Sequence, residues 1–202
     1  MEKKTNASGY LEGAIEKISE KLVVPYEDLP KYDLFLSQVI DYLNDKFEGE
    51  KYTNNIVQNY IKSEVISKPE DGKKRGYTKL HLAQLVLLSY MRPILTTDEM
   101  KKVFSLAFNE INDNSDDIIS WEMAYKIFSD IQKESFQDFT NQNPLDEKKL
   151  KGIIRNLGLE VKDEEKIMVF ITVMNLICQA SAIKKLVQQI ISDFELKSGN
   201  NQ

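Results

Sequence analysis

The 202-residue chain has one cysteine, one histidine and one tryptophan, with only five prolines and eight glycines. A lone Cys178 cannot close an internal disulfide, and a reducing cytoplasm is the simplest setting for it. One histidine, His81, beside one cysteine removes most metal-ligand sets and most nucleophile–base pairs. With no glycine-rich phosphate loop either, most familiar catalytic constellations are excluded, while paired carboxylates stay open. The expectation is a protein that is not an enzyme and holds no cofactor or resident metal. Few glycines and prolines argue for long helices over many tight β turns. Met1 to Gly13 lacks the apolar core of a signal peptide, and a cytoplasmic location is expected. A 42% apolar content can build a core, and 29% charged residues suit a soluble chain.

What is present is mostly helical periodicity. Tyr10, Leu11, Ala14, Ile15, Ile18 and Leu22 recur at helical spacing, and Pro25 and Pro30 bound an extended connection. Tyr32, Phe35, Leu36, Val39, Ile40, Leu43 and Phe47 form a second stripe. Thr96 with Glu99 makes a capping box for a helix ending near Asn112. The run Asn112 to Asp117 fails as a calcium loop, because Asp117 would stand at the required Gly and Met123 at the required Glu; it reads as a capped loop. Ile118 to Phe139 carries a core stripe of Trp121, Ala124, Tyr125, Phe128 and Ile131. Another helix starts at Asn143-Pro144 and stops at Gly158, with Leu150, Ile153, Ile154 and Leu157 as its buried side.

The last helix is predicted over about Asp163 to Lys197, roughly 50 Å if straight. Ile167 to Ile177 is apolar on nearly every side, which predicts burial all round and an inert core thiol at Cys178. Ile183, Leu186, Val187, Ile190, Ile191 and Phe194 continue as one stripe. The apolar run between charges is about 17 residues, below the ~20 of a membrane span, and no membrane contact is expected. A break near Ala180 to Ala182, or burial against a second subunit, would accommodate such a length.

The stretch from Lys51 to Arg92 has a different character. Thr53 is a suitable N-cap, and Ile56, Val57, Tyr60 and Ile61 share one arc of the helix that follows. The other arc holds Asn54, Asn55, Gln58, Asn59 and Lys62. Solvated faces are normally Glu and Lys, because Asn competes for backbone hydrogen bonds and lowers helix propensity. Amides in that position suit the paired donor and acceptor of adenine in a DNA major groove. Ser67 to Tyr77 then holds an Asp71-Gly72 turn flanked by Lys73, Lys74 and Arg75, which reads as a short hairpin or wing. Thr78 caps a helix running through Leu80, Leu82, Ala83, Leu85, Val86, Leu87 and Leu88. His81 lies in its first turn, where a structural role fits better than proton transfer. Lys51 to Lys79 carries seven Lys or Arg against three Asp or Glu, a net +4; the whole chain is −5, which leaves −9 elsewhere. A positive patch on an acidic protein is the footprint of phosphate contact.

Val57 to Pro69 resembles the recognition helix and wing start of MerR-type regulators. Tyr77 to Leu85 resembles the helix after their wing, and Thr96-Thr97-Asp98-Glu99-Met100 the start of the next one. From about Asp28 to Val103 the chain resembles an uncharacterised Gram-positive family of unknown function with a MerR-like winged helix-turn-helix. The metal-binding cysteines of MerR sensors are absent, so their sensing role does not carry over, and the sequence identifies no effector ligand.

The expected fold is mostly α: a MerR-like winged helix-turn-helix followed by an α-helical C-terminal region. Residues 1–27 would form an N-terminal helical extension, 28–95 the DNA-binding domain, and 96–202 a dimerisation or effector region. Asn54, Asn55, Gln58 and Asn59 would read base edges of double-stranded DNA, while Lys62, Lys73, Lys74, Arg75 and Lys79 would contact phosphates. A homodimer through the C-terminal helices is expected, with a pseudo-palindromic operator. The rival expectation is a protein-interaction module that keeps the fold without using DNA, since acidic surfaces elsewhere would repel a duplex.

Overall fold

The computed structural model describes residues 13–15, 18, 24–47, 51–69, 76–141, 152 and 161–199. The predicted N-terminal helix falls largely outside them. So do the tip of the basic loop and the helix predicted from Asn143-Pro144. The described secondary structure is helical, joined by turns and two isolated β-bridges. The chain divides into two compact units: Val23–Ile131 with Gln188–Gln202, and Met1–Leu22 with Gln132–Val187.

In the first unit a 3-10 turn, Tyr26–Asp28, interrupts the connection that Pro25 and Pro30 suggest is extended throughout. Helix α1 spans Leu36–Lys46 and buries Val39 and Leu43. Tyr32, expected on its apolar stripe, lies before it and is exposed, because the chain first pairs Leu34 with Tyr77 in an antiparallel bridge. Helix α2 spans Asn54–Lys62 and α3 Lys79–Met91. Every residue of α3 from His81 to Ser89 is buried, so it forms the axis of the core. His81 has a structural role at its start: Nδ1 accepts the Thr78 backbone N–H at 3.1 Å, closing a reciprocal cap.

Helix α4 spans Thr97–Phe104 and opens on the predicted capping box, with Glu99 accepting from Thr96 N–H at 2.7 Å. It stops eight residues short of Asn112. The Phe104 carbonyl accepts from both Ala107 and Phe108 N–H, and this turn swings Phe108 inward. There Phe108 stacks flat on Trp121, 3.6 Å between ring centroids. Asn112 to Asp117 is a capped loop: Asp113 accepts from Ser115 N–H, and the Asn109 amide donates to the Asp116 carbonyl. Helix α5, Trp121–Asn141, begins three residues after Ile118. The Ile118 N–H bonds back to Ala107, while Ser120 accepts from Met123 N–H and starts the helix. Ile131, expected on the core side of α5, is exposed.

Helix α6, Val161–Gly199, runs 39 residues without the break expected near Ala180. Its apolar segment is not buried all round: Phe170, Val173, Met174 and Ile177 are exposed, and so is Cys178, which is therefore no core thiol. The predicted stripe further on splits likewise, with Ile191 buried but Ile183, Leu186, Ile190 and Phe194 exposed. Among the described residues one helix, Lys166–Phe194, is long and apolar enough to cross a membrane by length and composition, with mean hydropathy 1.7 in its most apolar window. That is longer than the run of about 17 residues read from charge spacing, because it extends past Lys184 and Lys185.

Candidate nucleic-acid interface

The amphipathic pattern of α2 decides what it hides and what it shows. Thr53 adopts extended backbone, and its hydroxyl accepts from Ile56 N–H at 3.4 Å, so the helix starts where the cap was predicted. Val57 and Tyr60 are buried, with Ile56 and Ile61 half-buried beside them. On the opposite arc Asn54, Asn55, Asn59 and Lys62 are exposed and Gln58 is half-buried. Among the described residues no side-chain hydrogen bond engages Asn54, Asn55, Gln58 or Asn59, which leaves their amide groups facing water.

Both ends of α2 are pinned by polar contacts. Before the helix, the Asn44 side-chain amide on α1 grips the backbone of Tyr52. Its Oδ1 accepts from Tyr52 N–H at 2.6 Å, and its Nδ2 donates to the Tyr52 carbonyl at 3.1 Å. The Tyr52 hydroxyl, 2.7 Å from Ser89 Oγ, donates to it, because Ser89 Oγ itself donates to the Leu85 carbonyl. The Arg92 guanidinium lies over the Tyr52 ring, 5.2 Å from its centroid. The chain entering α2 is thus tied to α1 and α3 together.

After the helix the chain turns through Glu64, a non-glycine residue at φ 54°. Glu64 N–H bonds to the Ile61 carbonyl and Val65 N–H to the Tyr60 carbonyl, the paired bonds of a Schellman turn. Val65 packs down beside Tyr60, both buried. Ser67 then donates through its backbone N–H and its hydroxyl to one oxygen, Oε1 of Gln84 at the centre of α3, at 3.1 and 3.0 Å. One step on, Lys68 N–H donates to Asn112 Oδ1 at 2.8 Å. The return strand arrives as Tyr77, bridged to Leu34 by two backbone bonds of 2.8 and 3.2 Å. The basic loop therefore leaves and rejoins the core at two fixed points.

The charge near α2 is positive. In Lys51 to Pro69 Glu64 is the single carboxylate, and it is paired with Lys101 at 3.0 Å. That hydrogen bond holds the Glu64 carboxyl below its ordinary range. Lys51 and Lys68 are exposed, as is Lys62. Lys73, Lys74 and Arg75 lie outside the described residues. Lys79, at the start of α3, sits with its ammonium 4.0 Å from the Tyr26 ring centroid. Among the described residues it is the one predicted phosphate contact with an intramolecular partner. Lys126 approaches the same ring at 5.8 Å and pairs with Glu27 and Glu122, at 2.7 and 2.8 Å.

Asn44, Ser67, Gln84 and Asn112 carry no DNA-reading role in the sequence pattern, yet they hold the chain on either side of α2. Two of them carried a signal: Asn44 interrupts an apolar helical stripe, and Gln84 is the single polar residue of the run Leu82 to Leu88. Beneath Glu64 and Lys101 a cleft of about 430 Å³ opens between α4 and the turn that follows it, floored by Phe104 and Phe108.

A family described as a domain of unknown function (DUF1836) matches residues 24–128. No curated protein and no solved structure matches the chain.

Proposed function

The chain belongs to the DUF1836 family, and from that premise we propose that it is a sequence-specific DNA-binding regulator acting in the cytoplasm. In this reading α1 and α2 form a helix-turn-helix of MerR-like type, and residues 67–77 supply its wing. The observation that carries it is the amide face of α2: exposed Asn54, Asn55 and Asn59 with half-buried Gln58, without side-chain hydrogen bonds among the described residues, on a helix anchored at both ends. Fixed anchors hold the helix ready to enter a groove, so little conformational freedom is lost on binding. Asn54, Asn55, Gln58 and Asn59 would contact base edges, and Lys62, Lys73, Lys74, Arg75 and Lys79 phosphates. Lys79 can serve both Tyr26 and a phosphate, since a cation–π contact uses the ring face and leaves ammonium hydrogens free.

The −9 charge outside this segment favours a second reading, a protein-interaction module that presents the same face to another protein. An electrophoretic shift with duplex DNA from upstream of the protein's own coding region separates the two. DNA binding predicts a shift that weakens steeply with salt. No shift even at low salt supports the interaction module.

A further inference from the structure

In the first half of α6 one arc faces solvent; its four apolar residues and the opposite charges at its two ends form a mirrored pattern, while Lys166 faces Ser181. Phe170, Val173, Met174 and Ile177 are 43 to 59% exposed, while Thr172 on the opposite side is buried. The arc continues to Asp163 at one end and Lys184 at the other, in alternating steps of three and four residues, the spacing that keeps side chains on a helix–helix seam. Rotation by a half-turn about a point between Val173 and Met174 exchanges Phe170 with Ile177, Val173 with Met174, and Asp163 with Lys184.

We infer that α6 pairs two copies of this chain in antiparallel register through that arc. A two-fold interface must be self-complementary, and this one is in both shape and charge. Phe170 meets the partner's Ile177, and Asp163 meets the partner's Lys184, at both ends of the seam. Parallel pairing would instead set Asp163 against Asp163 and Lys184 against Lys184, which like-charge repulsion opposes. Among the described residues Asp163 has one loose ion pair, 3.8 Å to Lys166. A bilayer is a poorer occupant. Lys166–Phe194 has the length to cross one, but Lys184, Lys185 and Asp193 would stand within the span, and Thr172 is already buried within the chain. A different protein would not require the charges to mirror each other. The inference makes the expected homodimer specific and does not depend on contact between α2 and DNA.

The test uses the full chain with Cys178→Ser, carrying Phe170→Cys or Ile177→Cys, under mild oxidation. In the antiparallel pair, position 170 lies beside the partner's 177, whereas two copies of position 170 are offset by about 10 Å along the axis, beyond disulfide reach. Mixing the two variants should give a disulfide-linked dimer that neither gives alone. Linkage of each variant by itself would indicate parallel pairing and overturn the proposal. Absence of linkage in the mixture overturns it too. Sedimentation of the chain lacking new cysteines should show a dimer. Phe170→Asp should raise its dissociation constant at least roughly tenfold with helicity by circular dichroism unchanged. Asp163→Lys should weaken pairing, and Asp163→Lys with Lys184→Asp should restore it. A monomer that pellets with vesicles of neutral or anionic phospholipid would contradict the account in favour of the membrane.

Discussion

Asn44 and Tyr52 are joined by two hydrogen bonds, 2.6 and 3.1 Å, between a side-chain amide on α1 and the backbone just before α2. The Asn44 amide substitutes for a backbone partner at a point where the chain makes no regular structure. Through the Tyr52 hydroxyl the same residue reaches Ser89 in the core. Asn44 is therefore one of the polar side chains that fix α2 against α1 and α3, at its N-terminal end.

Asn44→Ala should destabilise the fold by about 1–3 kcal/mol, because it leaves the part-buried N–H and carbonyl of Tyr52 without that partner. Chemical denaturation read by the fluorescence of Trp121 would measure this. Asn44→Asp keeps the acceptor for Tyr52 N–H but sets a carboxylate oxygen against the Tyr52 carbonyl, so it should not recover the stability of the wild type.

Glu64 occupies left-handed backbone at the end of α2. Glu64→Val places a β-branched residue there and should cost about 1–2 kcal/mol, whereas Glu64→Gly should be tolerated. The carboxyl is held below its ordinary range by Lys101. The stabilisation from this pair should be present at neutral pH, above the unfolded carboxylate range. It should disappear as pH falls through the lowered folded value. Thermal melts of wild type and Lys101→Met between pH 7 and 3 should converge at the acid end. A constant gap would refute the linkage.

His81→Ala removes the acceptor for Thr78 N–H and should cost roughly 1 kcal/mol, the usual worth of a helix cap. His81→Gln, which retains an oxygen acceptor, should recover part of that stability in the same unfolding experiment.

Much of this architecture was legible in the sequence where the cause is local. Thr53 and the Thr96–Glu99 pair act within one turn of themselves, and both cap as their spacing predicts. The amphipathic split of α2 follows from the period of its own nine residues. The readings that failed depend on partners distant in sequence. Nothing in Thr97 to Asn112 announces that the helix stops at Phe104, because the stop serves the stacking of Phe108 on Trp121. An all-apolar segment such as Ile167 to Ile177 cannot report which side is covered, and the exposed arc with Cys178 beside it is visible only in three dimensions. The anchors Asn44 and Gln84 show in the sequence only as polar breaks in apolar runs, because a polar residue in a helix is ambiguous until its partner is known.

Replacing Lys73, Lys74 and Arg75 together by Ala should weaken binding to all duplexes alike. It should also reduce the slope of log affinity against log salt by about 0.9 for each phosphate no longer neutralised. Fluorescence anisotropy over a salt series measures both. An unchanged slope would remove these three residues from the interface.

The central claim, that the outward amides of α2 read base edges, is tested most directly by selection from a pool of randomised duplexes. Wild type and Asn59→Ala would be compared side by side. Wild type should enrich a defined motif. The variant should lose preference at one or two positions, with about 1–3 kcal/mol of discrimination gone there, while still binding DNA. Failure of wild type to enrich any sequence, or the same motif from both proteins, would contradict it.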